Sequence, residues 1–407
     1  METADARALG FDPSRLRRID AFLKERYLDS GKLPNAQLLI ARDGEIVHFS
    51  HQGLAREAGK PIDEGSLFRI ASMTKPITSV AFMMLVEEGL VAADTPVHHV
   101  LPELKGVGVY DGGGAGVPFV TKPTAGPMRM LDLLRHTSGL TYGFQNRSNV
   151  DAAYREGKLG EWRTGDDLQT FIAKLGKLPL EFSPGEAWNY SVSTDVLGAV
   201  VERVSGQTLD MFFAERIFGP LGMHDTFFEV PGDKVDRLTD CYAWHPVKRE
   251  RVMFDRATES TWARQPNLLS GGGGLVSTAL DYHRFCQMCA NGGELDGARI
   301  LGRKTLDLMR LNHLPGGKDL SSMSKSLFSE TQNAGTGFGL GFAVVQDVAK
   351  TMMPGSVGEY YWGGMFSTAF FIDPVERLHM VFMTQLSPSA LYPIRRELKT
   401  MIYSALT

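Results

Sequence analysis

The chain has 407 residues, 43 % of them apolar and 22 % charged, with a net charge of −4, which is enough for one large core or two smaller ones. There is no basic excess of the kind that nucleic acid or an anionic membrane attracts, and the longest apolar stretch, within 77–86, is too short to cross a bilayer. The N-terminus has no cationic segment leading into an apolar run, and the only cysteines are Cys241, Cys286 and Cys289, so the expectation is a cytoplasmic protein without a disulfide framework.

Residues 13–28 carry Leu16, Ile19, Phe22, Leu23 and Tyr27 at helical spacing. Two β-rich runs, 37–42 and 45–50, flank Asp43-Gly44, the strongest short signal for a hairpin. The apolar run 77–86, with Pro76 ahead of it and Gly89 behind, predicts a buried helix. Residues 104–127, rich in Gly and Pro, read as a long loop that overhangs a site. Helical patterns then follow at 128–134, 166–175, 193–204 and 209–217, with few strand patterns before 260. The glycine run 271–274 has no βαβ context and no Gly-Lys-Ser/Thr, so it predicts close backbone packing beside a site rather than a phosphate cradle. Thr278-x-x-Asp281 reads as a capping box for the next helix, and Cys286-x-x-Cys289 falls inside that helix as part of its core face.

The last seventy residues turn to β, with strands expected at 338–345, 358–362, 367–373 and 378–385 before a closing helix, 392–406. Strand-forming pieces therefore lie at both ends of the chain and a helical block between them. The simplest arrangement is an α/β (α+β) fold, with the N-terminal hairpin in the same antiparallel sheet as the C-terminal strands. The expected division is one discontinuous α/β domain, 1–85 with 261–407, and an inserted mostly helical domain, 86–260, with the site at their interface.

Chemistry concentrates at Phe68–Pro76, which contains Ser72-Met73-Thr74-Lys75. An unassisted serine hydroxyl is a poor nucleophile and needs a base within hydrogen-bond reach. Residues three apart on a helix share a face, so Ser72 and Lys75 meet if a helix begins here. A helix N-terminus disfavours a protonated amine and burial adds to that, so Lys75 is expected to lean toward its neutral form. The bland alternative for Ser72 is an N-cap on a core helix. A second Ser-x-x-Lys, Ser322 to Lys325, lies in a Gly-, Ser- and Lys-rich stretch with no apolar helix after it and reads as a surface loop.

A Ser/Lys site also needs a proton relay and an oxyanion hole. The candidates are Tyr190, after Pro184-Gly185-Glu186, and the turn Tyr361-Trp362-Gly363-Gly364-Met365. Ser-x-x-Lys at 72–75, Tyr-x-x at 190–192 and an aromatic-Gly-Gly at 362–364, in this order, resemble the serine β-lactamase and penicillin-binding-protein superfamily. His136-Thr-Ser-Gly-Leu140, Pro184-Gly-Glu186 and Pro220-Leu-Gly-Met223 strengthen the match, which runs from about residue 13 to 405. Within it the chain is most similar to the family VIII carboxylesterases, with class C β-lactamases and fungal acyltransferases as relatives.

The resemblance implies a class C β-lactamase-like fold. It implies Ser72 as nucleophile, Lys75 as its base and Tyr190 as proton relay, with the backbone amides of Ser72 and Met365 as the oxyanion hole. Trp362, Gly363, Gly364 and Val192 would contact substrate. Two departures matter: Val192 stands where β-lactamases have an amide-binding Asn, and Trp362 where the superfamily has a Lys or His. Both point away from β-lactam and peptide carboxylates and toward a neutral, short-chain ester, with no cofactor, no metal, no nucleic acid and no membrane as partner. The alternatives are an acyltransferase on the same site, a weak β-lactamase or peptidase, and a non-catalytic binding protein. An α/β-hydrolase requires Gly-x-Ser-x-Gly, which this sequence lacks. His136 is expected to be structural rather than the base for Ser138, and His98-His99 has no carboxylate pattern for a metal.

Overall fold

The computed structural model describes residues 2–161, 163, 165–325 and 334–407. Its largest sheet has seven strands, in the order Thr336–Phe338, Ala343–Val345, Tyr360–Gly363, Ala369–Asp373, Leu378–Met383, Asn35–Arg42, Glu45–Gly53, every neighbouring pair antiparallel. The two ends of the chain do share one sheet: Gln37 pairs with Met383 and Arg42 with Leu378. The first hairpin turns at Asp43 (φ 54°) and Gly44 (φ 88°), the two left-handed residues that a tight type I′ turn requires.

Alternation along the strands sorts the side chains between two cores. Leu39, Ala41, Trp362, Phe370, Val381 and Met383 face one cluster, which also contains the helices Thr74–Glu87, Ser193–Ser205 and Ala279–Ala290. Leu38, Ile40, Phe371, Met380 and Phe382 face another, built with the helices Pro13–Leu23 and Ile394–Ser404. Strand Asn35–Arg42 is thus covered on both faces, and its sequence is a nearly continuous apolar run. Helix Thr74–Glu87 is likewise enclosed, with twelve residues from Thr74 to Leu85 buried, as an all-round apolar helix must be.

Several expectations need correction. Residues 104–127 are not a structureless loop: Val109–Gly114 and Val117–Lys122 form a hairpin, tied down by Tyr110 N–H to Leu180 O at 2.8 Å. Glycines supply much of one strand, so there is no side-chain alternation to read. A Cβ on Gly113 would lie 2.1 Å from Pro118 O, so the partner strand comes too close for any other residue there. The block before 260 holds a second missed hairpin, Cys241–His245 with Glu250–Asp255, whose first strand pairs in parallel with Leu386–Ser387. The expected strand 338–345 is two strands joined by a turn at Gly339–Phe342. The helix begun at Pro13 ends as a wider π turn, Lys24–Leu28. Ser322 belongs to a one-turn helix, Leu320–Met323, capped by Asp319, and not to a plain loop; the stretch after it pairs with Trp188.

Candidate active site

Ser72 sits in a 3₁₀ turn, Ala71–Met73, that leads into helix Thr74–Glu87. It lies ahead of the helix and does not cap it. Ala71 has φ 45°, a left-handed conformation that is uncommon outside glycine, so the chain turns sharply just before the hydroxyl. Ser72 is half-buried, whereas Lys75 and Tyr190 are each 2 % exposed. Lys75 Nζ lies 3.3 Å from Ser72 Oγ and donates to Gly272 O at 2.5 Å. The same nitrogen stands 4.6 Å from the centre of the Tyr190 ring and 5.5 Å from that of Tyr142.

Tyr190 arrives on the stretch before helix Ser193–Ser205 and is wedged among rings. His136 is 4.8 Å away between centroids, Tyr142 5.3 Å and Trp362 5.4 Å. Trp362, on strand Tyr360–Gly363, donates its indole N–H to the Tyr190 hydroxyl at 3.4 Å. The structure therefore brings Ser72, Lys75, Tyr190 and Trp362 into one cluster. Trp362 is 2 % exposed and touches the site through its indole N–H, whereas Val192 is fully buried and offers no open surface to a ligand, against the expectation that it contacts substrate. Gly363, Gly364 and Met365 form the end of that strand and the turn beyond it, and Met365 is exposed.

Of three further groups beside Lys75, two carried no readable signal in the sequence. Asp195, buried in the first turn of its helix, accepts from Ser270 Oγ and from Gly272 N–H. Burial raises its carboxyl above the ordinary value, against the pull of Lys75 and these bonds. The Tyr142 hydroxyl is pushed well above its usual range by burial and by the neighbouring Asp195. Gly272 completes the group, and here the glycine run gave warning. A Cβ on Gly272 would lie 2.5 Å from Asp195 Oδ2, and one on Gly271 2.8 Å from Thr194 O, so the run is close backbone packing beside the site.

The remaining candidates fall elsewhere. His136 is buried and held well below its ordinary value by burial and by Lys75; its Nδ1 faces Ser191 Oγ at 3.4 Å. Ser138 Oγ instead pairs with Ser193 Oγ at 2.7 Å. Ser322 Oγ donates to Asp319, and the Lys325 ammonium stands over Phe182. Cys286 and Cys289 are buried free thiols of a core helix, as is Cys241 elsewhere in the core. Among the described residues no group of three or more His, Cys, Asp or Glu is placed to hold a metal, and no helix is long and apolar enough to cross a membrane.

The antiparallel sheet between helical layers, with a Ser-Lys pair at a helix entrance and a tyrosine against the lysine, is the architecture of the serine β-lactamase and penicillin-binding-protein superfamily. Residues 19–400 match the β-lactamase family, and the chain belongs to it. It is similar to Protein Rv1367c of Mycobacterium tuberculosis (strain H37Rv), at 35 % identity over 364 residues and 88 % of each chain. It is also similar to Esterase EstB of Burkholderia gladioli, at 31 % identity over 424 residues and 98 % of each. Among solved structures it resembles EstCE1, a hydrolase with promiscuous acyltransferase activity, with a TM-score of 0.79, 26 % identity, and 96 % of this chain and 98 % of that one covered.

Proposed function

We propose that Ser72 is the nucleophile of this carboxylic ester hydrolase, with Lys75 as its base and Tyr190 as the proton relay. The observation that carries the reading is the position of Lys75 Nζ, 3.3 Å from Ser72 Oγ and 4.6 Å from the centre of the Tyr190 ring. Lys75 takes the hydroxyl proton as Ser72 Oγ attacks the ester carbonyl carbon. The resulting oxyanion accepts from the amides of Ser72 and Met365. Tyr190 hands a proton to the departing alkoxide, the C–O bond breaks, and the alcohol leaves an acyl-Ser72 ester. Water then attacks that ester and loses its proton to the same relay, and Ser72 departs reprotonated as the carboxylic acid is released.

The Trp362 N–H to the Tyr190 hydroxyl supports this assignment, because a donor there favours the tyrosine oxygen while it lacks its proton. Gly363 and Gly364 let the strand end approach closely. With Trp362 and Val192 in place of a cation and an amide, the substrate class is a neutral ester with a short acyl group, and no cofactor takes part. The site lies between the discontinuous unit, 1–85 with 261–407, and the helical unit, 86–260, and the three free buried cysteines fit a cytoplasmic enzyme. An alcohol in place of water in the second half would give acyl transfer; the resemblance to EstCE1 supports that as a side activity.

Intact-mass measurement after a pulse of fluorophosphonate or chromogenic acetyl ester tests the assignment. The expected adduct maps to Ser72, Ser72→Ala gives a folded protein without turnover or adduct, and Ser322→Ala behaves as the parent. An active Ser72→Ala protein overturns the reading.

A further inference from the structure

The turn after strand Tyr360–Gly363 exposes only Met365, at 37 %; Phe366, Ser367 and Thr368 are buried, and Phe366 packs against Phe254 and Trp262. It also contains Ser367 at φ 70°, a left-handed conformation that the surroundings must hold in place. Strand Leu386–Ser387 holds it directly, with Ser367 Oγ donating to Leu386 O at 2.7 Å and Leu386 N–H to Phe366 O at 3.0 Å, and three further sets of contacts add to this. Within the turn, Gly364 N–H donates to Thr368 O at 2.9 Å and Ser367 N–H to Gly364 O at 3.1 Å. On one side the turn lies directly on the residues leading to Ser72. Thr368 Oγ1 donates to Ile70 O at 3.4 Å, and a Cβ on Gly364 would be 2.4 Å from that same oxygen. From the other side comes Arg395, the second residue of helix Ile394–Ser404. Its Nη2 donates to both Gly364 O and Thr368 O, each at 2.6 Å.

We propose that Arg395 is a positioning residue for the reaction, clamping the 364–368 turn so that the Met365 amide and the Ser72 amide aim at one oxygen. This rests on the assignment of Ser72 and Met365 above. The two carbonyls bridged by Arg395 stand at opposite ends of the turn, so one cation fixes its width as well as its place. Bonds from a charged donor are shorter and stronger than neutral ones, and the rigid guanidinium fork supplies them at fixed geometry. Gly363 is part of the same device: a Cβ there would lie 2.5 Å from Arg395 Cζ, so the guanidinium fills the space a side chain would need. The second and third members of the Trp-Gly-Gly motif thus have separate reasons to be glycine. Gly363 admits Arg395, and Gly364 admits Ile70. A misplacement of about 1 Å in such a site can cost on the order of a hundredfold in rate.

A cavity of about 350 Å³ opens beside Arg395, walled by Tyr361, Phe371, Met380 and Tyr392, with room for a free guanidinium ion. That permits a direct test on the full chain with a neutral acetyl ester. Arg395→Ala should lower kcat about tenfold to a hundredfold, less than the on the order of 10²- to 10³-fold cost of deleting an oxyanion-hole donor outright. KM and the melting temperature should change little, and added guanidinium chloride at low millimolar level should restore part of kcat. Arg395→Lys should fall between the two. Arg396→Ala, whose side chain donates only to Met352 O at 3.2 Å among its described bonds, should keep the parent kcat. An unchanged kcat in Arg395→Ala would overturn the clamp. So would a loss in both Arg395 variants that follows a loss of folded protein and does not respond to guanidinium. The Ser72→Ala protein separates the two claims: if it is inactive while Arg395→Ala is fully active, the clamp alone is wrong, and if it is active, the site assignment falls first.

Discussion

Lys75 has one nitrogen and several neighbours to serve. Its bond to Gly272 O at 2.5 Å anchors the side chain, and that anchor leaves the nitrogen 3.3 Å from Ser72 Oγ and over the face of Tyr190. If Lys75 is the base and Tyr190 the relay, as proposed, the two share one environment and should behave as a unit, and removals from a unit are strongly non-additive. Lys75→Ala and Tyr190→Phe should each lower kcat/KM for a neutral ester by roughly 10²- to 10⁴-fold, the usual range for general acid–base groups. The double variant should be little worse than the poorer single one. Losses that multiply in the steady-state rates would mean that the two groups act independently. Ser72, Lys75 and Tyr190 could be singled out in the sequence because short motifs flank each and occur in a set order. Asp195 and Tyr142 could not. An acidic residue in a first helical turn is ordinary, and its place beside Lys75 depends on how helix Ser193–Ser205 packs against helix Thr74–Glu87.

Elements position these residues through backbone contacts that forbid side chains. The glycine run after Ser270 was legible as close packing, because four glycines in a row have little use in a helix or strand. What it packs against was not, since that partner is 77 residues away in the Gly272–Asp195 contact. The hairpins Val109–Lys122 and Cys241–Asp255 escaped for a related reason. The first has glycines where alternation would show, and the second is largely half-buried, so neither presents a clear period of two. Gly272→Ala tests the packing. Its Cβ would meet the Asp195 carboxylate at 2.5 to 2.9 Å and push the carbonyl that anchors Lys75. Overpacking of this kind costs about 1–3 kcal/mol. The expected outcome is a lower urea midpoint together with a drop in kcat of at least about tenfold from the misplaced base. Gly126→Ala serves as the control, because nothing lies within 4 Å of its added Cβ and its stability should match the parent. A Gly272→Ala protein with parental kcat would show that the 272 carbonyl does not position Lys75.

Across the whole molecule, both ends of the chain meet in one sheet, and the helices that cover it tie the site to the core. One such tie is polar and buried. His379, on the strand Leu378–Met383, stacks on His283 of helix Ala279–Ala290, with ring centroids 4.9 Å apart and His283 Nδ1 2.7 Å from His379 Nε2. Two neutral imidazoles can share a single N–H across that contact, whereas two protonated ones cannot. Burial accordingly lowers both, His283 to about 4, with Arg284 adding to the effect on His283 and His283 to that on His379. The sign for stability follows. Below about pH 6.5 the unfolded chain binds a proton at position 283 that the native chain refuses, so stability falls with falling pH until about pH 4, at about 1.4 kcal/mol per pH unit. Asp195 and Glu359 act in the opposite sense, because burial raises them and the native state takes up their protons first as the pH drops. A comparison of one variant with the parent removes those shared contributions. His283→Asn should therefore flatten the fall of unfolding free energy between about pH 6.5 and pH 4.5 by roughly 1.4 kcal/mol per unit relative to the parent. Urea titrations at pH 4.5, 5.5 and 6.5 would measure it. At pH 7 the variant should be the less stable of the two, having lost the stacked contact, and the gap should narrow steadily on acidification. Parallel pH profiles for the two proteins would mean that His283 accepts its proton in the folded state as readily as in the unfolded one, and that its contact with His379 does not hold it neutral.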